Sequence, residues 1–190
     1  MSYPTDPEFA AINVTSRHSN VVSETRSGRR QVRSIGAQRW AFTAQYNELK
    51  RTEFAPVYAF VMTLEGQLNT FTIVPPVIGS TSGTATGTIL TNGSHSIGDN
   101  TIAIDGITGA LKAGDFIKFD NHDKVYMLTA DRSGAGVMTM QPALVAAVSN
   151  NTAVTYNNVP FTMRLDNDVQ EYNLGGFDRY EYELDMVETL

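Results

Sequence analysis

Near the C-terminal end of the sequence, Tyr180, Tyr182, Leu184 and Met186 alternate with Arg179, Glu181, Glu183 and Asp185. A period of two puts successive side chains on opposite faces of an extended strand, so this stretch has one apolar face and one anionic face. The same period returns in residues 38–46, where Trp40, Phe42, Ala44 and Tyr46 oppose Arg39, Ala41, Thr43 and Gln45. It recurs in Phe161, Met163 and Leu165 against Thr162, Arg164 and Asp166. These are half-buried strands, and they commit the chain to a mainly β fold with minor α content.

Residues 20–24 and 29–35 flank Arg26-Ser27-Gly28, a short polar connection with a glycine, which is a hairpin signal. In the second run Arg29, Gln31 and Arg33 share one face while Arg30 and Val32 take the other, so one side of that strand is cationic. A single helix follows. Thr52 is placed as its N-cap, Pro56 within about the first turn, and Gly66 where it stops. Phe54, Val57, Phe60, Val61 and Leu64 fall on one helical stripe, which predicts a short core helix. Residues 68–74 are extended again, until Pro75-Pro76 ends any ladder because proline donates no hydrogen bond.

After these prolines the composition changes. Residues 79–87 hold no charge and almost no apolar bulk, as expected of a connection or an edge rather than of core. A phosphate-binding loop would need a lysine and a helix start behind these glycines, and neither is present. Short strand candidates then come at close spacing over residues 101–104, 115–119, 124–129, 137–140 and 152–156. Turn residues such as Asp105-Gly106 and Ser133-Gly134 separate them, which predicts a small bent β module or barrel. Residues 169–174 and 177–187 form a final pair divided by Gly175-Gly176. The expected organisation is an antiparallel, β-sandwich-like parent domain with one short helix, residues 1–78 plus 159–190, carrying an inserted β-barrel-like module at 79–158. Such an insertion requires its two chain ends to lie close together.

The formal charge of the 190 residues is −6, and it is unevenly spread. Residues 1–51 hold eight Lys and Arg against four acids, so the remainder carries −10. Segregated charge favours complementary packing, either inside one monomer or between copies laid head to tail. The acidic balance argues against nucleic acid as the partner of the arginines.

Catalytic chemistry has little to work with. Without cysteine there is no disulfide, thiolate metal site or cysteine nucleophile. His18, His95 and His122 are not spaced to hold a metal from one helical face. The acidic stretch from Asp115 to Asp123 lacks the glycine and terminal glutamate of a calcium loop and reads as a hairpin. No Gly-x-Ser-x-Gly elbow is present, and Glu181 and Glu183 read as a solvated or interfacial face rather than a glycosidic pair. Trp40, Tyr46, Phe54, Tyr58 and Phe60 could stack on a sugar, but their periodicity favours core packing. No enzymatic activity, cofactor or metal is expected. With no apolar run near the roughly 20 residues of a spanning helix and no signal peptide, a soluble, unexported product is expected.

An ordered series of short segments carries a family likeness. Residues 32–40, the helix over 53–64, Gly66 followed by 70–76, Leu111-Lys112-Ala113-Gly114-Asp115 running on to Phe119, residues 124–131 and residues 159–165 together resemble structural tail proteins of tailed bacteriophages. The likeness is to the distal-tail or baseplate type with an inserted β module. The resemblance implies a ring-forming virion protein that joins the tail tube to the tail-tip hub, is made in the host cytoplasm and has no enzymatic activity. Its implied partners are copies of itself, with a hexamer one candidate ring, the tail tube protein and hub proteins; no membrane and no sequence-specific nucleic acid is implied. The large C-terminal carbohydrate-binding domain of some distal-tail proteins is absent, so direct receptor binding is not expected. A carbohydrate-binding or carbohydrate-cleaving accessory domain, and a head-proximal adaptor or terminator, are the alternatives. A ring of identical subunits needs heterologous contacts. The arginine face (Arg29, Arg33) and the acidic face (Glu181, Glu183, Asp185) are the candidate pair, whether between copies or within one chain.

Overall fold

The computed structural model describes residues 1–36 and 38–189. The chain divides into two compact units, Met1–Phe71 with Met163–Thr189, and Thr72–Thr162. The fold is mainly β with one helix. In chain order the first unit contributes β1 (Ala11–Arg17), β2 (Asn20–Glu24), β3 (Arg30–Ser34), β4 (Arg39–Gln45), β5 (Leu49–Lys50) and α1 (Arg51–Thr63). The chain crosses to the second unit within β6 (Phe71–Ile73). That unit holds β7 (Ile89–Thr91), β8 (Thr101–Asp105), β9 (Ala110–Leu111), β10 (Phe116–Phe119), β11 (Val125–Leu128), β12 (Arg132–Ser133), β13 (Gly136–Gln141) and β14 (Ala153–Thr155). It returns within β15 (Phe161–Leu165), and β16 (Tyr172–Gly175) and β17 (Arg179–Glu188) follow.

The large sheet has the order β1-β4-β17-β15-β6, with β5 and β16 also pairing β17. Its core is the product of the alternation: Phe42 and Ala44 of β4, Leu184 and Met186 of β17, and Met163 and Leu165 of β15 are all buried. The alternate residues Glu181, Glu183 and Asp185 are exposed. The helix buries Phe54, Val57 and Val61, with Leu64 buried at its C-cap. Phe54 packs its ring on Tyr180 and Tyr172 at centroid distances of 4.6 and 4.9 Å. Thr52 is not the cap. The helix starts one residue after Lys50, whose backbone N–H donates to the Glu53 carboxylate at 2.9 Å. A glutamate at the third helical position thus satisfies a terminal donor without a serine or threonine at the N-cap. Pro56 lies in the second turn, where it forfeits one helical hydrogen bond.

Beyond β1 and β4 the antiparallel ribbon continues into a hairpin of β2 and β3, a separate two-stranded sheet. Ile35 donates to the Ser19 carbonyl at 2.9 Å, which keeps the two chains of the ribbon together at its root. Every residue of β2 and β3 is exposed on both faces.

The second unit is a closed barrel of six strands in the order β10-β11-β13-β8-β7-β14, with each neighbouring pair antiparallel. Ile89, Ile102, Ile104, Ile117, Phe119, Tyr126, Leu128, Met138 and Met140 fill it. Closure removes the free edges that an open small sheet would expose. The glycine-rich stretch is not slack. Thr86 and Thr108 exchange backbone hydrogen bonds of 2.8 and 2.9 Å, and Thr84 donates to the Ala110 carbonyl at 2.9 Å, so the stretch lies antiparallel to 108–110. Val159 donates to the Gly79 carbonyl at 2.7 Å, which brings the beginning and the end of this segment together.

One polar network ties two loops of the barrel. Tyr126 Oη accepts the Val145 N–H and contacts His122 Nε2 at 2.7 Å; His122 Nδ1 contacts Asn121 Oδ1 at 2.8 Å; Asn121 Nδ2 donates to the Ala147 carbonyl. The set is satisfied when a neutral His122 accepts from Tyr126 and donates to Asn121. Burial holds the His122 pKa below its ordinary value, helped by Lys118 and Lys124 and opposed by Asp123. A depressed folded-state pKa means that the unfolded chain takes up the proton first. Stability is therefore expected to be full above about pH 6.5 and to fall as pH drops from there toward the folded-state value. Melting temperatures compared at pH 7.5 and 5.0 check this, and His122→Gln should flatten the difference.

Candidate subunit interface

The sequence nominated two charged faces, and the structure brings each together on its own element. Arg33 lies in β3 opposite Val21, and Arg29 precedes β3, where its backbone pairs with Thr25. The hairpin, here called the arm, carries Arg26, Arg29, Arg30 and Arg33 against a single acid, Glu24, within residues 20–34. Val22 faces Val32 across the strands, and Val21 pairs with Arg33 on the other side. These valines are open to solvent, Val32 at 60% and Val21 at 53%. An isolated two-stranded hairpin is at best marginally stable in water, and this one exposes apolar and cationic groups together on unpaired edges.

Glu181, Glu183 and Asp185 project from one face of β17, as the alternation requires. Register explains their partners. Glu183 lies opposite Gln45 and accepts from its amide at 2.7 Å, and Asp185 lies opposite Thr43 and accepts from its hydroxyl at 2.6 Å. Glu181 and Glu183 also line a groove of about 490 Å³ beside the end of β4, together with Glu48, Glu171 and the tyrosines 46, 172 and 182. Among the described residues no lysine or arginine lines it. Burial pushes the Tyr46 pKa up to about 12 and raises that of Tyr182 as well. The floor hydroxyls therefore stay protonated near neutral pH, and the negative charge comes from the glutamates. Asp185 does not line the groove. Sequence reasoning missed Glu48 and Glu171, which sit in connections and reach the groove only because β17 pairs with both β4 and β16.

Arg17 pairs with Asp166, Lys112 with Asp131 and Lys118 with Asp123, each at 2.7 Å. Arm and acidic face do not pair with each other inside the chain. Geometry supplies the reason. Arg17 pairs with Arg39 at the arm end of β4, whereas Gln45 lies at the groove end. Six residue steps at about 3.3 Å put the root of the arm roughly 20 Å from the groove.

Asp115 precedes β10, where it organises a turn, and Asp123 pairs with Lys118. No group of three or more His, Asp or Glu suited to a metal occurs among the described residues. Trp40, Tyr46 and Phe54 are buried in the first unit, whereas Tyr58 and Phe60 of the helix are only half-buried. Among the described residues no helix is long and apolar enough to cross a membrane.

Residues 66–159 match the family described as distal tail protein pb9, B domain. That segment contains all six strands of the barrel. No curated protein matches the chain.

Proposed function

We propose that this chain, a β-rich structural protein of the bacteriophage distal-tail type by its family match, assembles into a closed ring that joins the tail tube to the tail-tip hub. The family match supports a tail structural role and a place in the virion. The finer reading rests on an unpartnered basic arm and an acidic groove in one chain, since a ring of identical subunits needs two different patches that fit each other. Arg29 and Arg33 on one side and Glu181 and Glu183 on the other form the contact, with Asp185 beside it on the same face of β17 and held by Thr43. In this reading residues 1–78 and 159–190 build the ring wall and residues 79–158 are the module inserted into it. The partners are further copies of the chain, the tube protein and the hub proteins; the ring has no catalytic duty, contacts no membrane and reads no nucleic-acid sequence, and it is made in the host cytoplasm.

Light scattering on the purified protein, with electron microscopy of the same sample, tests the ring. The expected result is a single species at an integral multiple of 20.8 kDa with a central opening. A particle of 20.8 kDa at millimolar concentration would end this reading.

A further inference from the structure

We infer that the arm of each copy, residues 20–34, seats in the groove lined by Glu48, Glu171, Glu181 and Glu183 of the next copy. This rests on the ring reading and adds a site to it. The arm has every side chain exposed on both faces and an excess of three positive charges, while the groove presents four carboxylates and no cation. Charge complementarity of this kind selects the partner and its register. The own-chain groove is at the far end of β4 from the arm root, so the match is made by a second copy. The paired part of the arm spans five residues, about 17 Å at the usual strand rise, enough to cross a groove of this size. Asp185 falls outside this contact because it lies off the groove and is held by Thr43. Val21, opposite Arg33 on the cationic face of the arm, would then lie toward Tyr172, the half-exposed ring of the groove wall.

A charge swap tests the assignment. One variant carries Arg26→Glu, Arg29→Glu, Arg30→Glu and Arg33→Glu; a second carries Glu48→Lys, Glu171→Lys, Glu181→Lys and Glu183→Lys; a third carries all eight. Each single-surface variant should fall to the monomer mass with an unchanged circular dichroism spectrum, and the eight-fold variant should regain the ring. The wild-type ring should also loosen between about 0.05 and 0.5 M salt, as screened ion pairs do. Because the chain has no cysteine, Arg33→Cys with Glu181→Cys gives a second readout that leaves most of both surfaces intact: oxidation should produce a ladder of linked copies. Intact rings in both single-surface variants, or no recovery in the eight-fold variant with no ladder, would overturn the arm-in-groove contact while leaving the ring in place. A monomeric wild type would overturn both.

Discussion

Asp115→Ala is expected to destabilise the barrel unit by about 2–3 kcal/mol, the range for removing a charged hydrogen-bond acceptor and leaving its neutral donors unsatisfied. The Asp115 carboxylate, 4% exposed, accepts from the Thr81 hydroxyl, from the Ser82 N–H at 2.8 Å and hydroxyl at 2.7 Å, and from the Lys112 N–H at 2.8 Å. One side chain thus ties the incoming segment to the turn before β10. Desolvation works to raise its pKa, but the hydrogen bonds win and the net shift is downward. A depressed carboxylate contributes stability above its unfolded value, and that contribution is lost as pH falls through the folded one. The barrel should therefore weaken as pH falls from about 4 toward the folded-state value, and Asp115→Ala should remove that part of the acid sensitivity. Urea unfolding of the full chain, with hydrogen exchange followed at 79–83 and 112–115, measures both. A loss under 1 kcal/mol would show that the carboxylate is not the tie.

Gly106→Val should cost a similar amount, for a backbone reason. Gly106 has φ +73°, and a Cβ there would strike the Thr88 carbonyl. Across from it, a Cβ on Gly87 would meet the Gly106 carbonyl at 2.6 Å. These are backbone atoms, fixed by the pairing of β7 with β8, so they have little room to give. A β-branched residue with positive φ and a clash with main chain is expected to lose about 3 kcal/mol or more. Gly98 is the control: its φ is +93°, but nothing lies within 4 Å of its Cβ position, so Gly98→Ala should lose only about 1 kcal/mol. Equal losses in thermal melts of the two variants would refute the close-approach argument.

What was legible in the sequence follows from how much each element is buried on one side. β4, β15 and β17 each have one covered face, so their period of two is plain in the residues, and the helix declares its stripe in the same way. β1 was not anticipated because six of its seven residues are exposed, which leaves no alternation to see. β9 and β12 have two residues each, too few for any period. The turn between β16 and β17 is displaced as well. Gly175 pairs with Arg179, and the positive φ values fall on Phe177 and Asp178 rather than on the glycine pair. The charged faces were readable individually because the acids lie on one strand and the arginines within one short hairpin. The groove was not, since its four glutamates come from three separate stretches of chain and meet only through strand pairing.

The 2.7 Å hydrogen bond from Val159 to Gly79 makes the segment between them begin and end at one point. A chain that leaves and re-enters through one doorway can lose, enlarge or exchange whatever lies beyond it, because eighty residues or eight would span the same gap. Replacing residues 80–158 by a short glycine bridge from Gly79 to Val159 would measure how much of the remaining sheet folds without them.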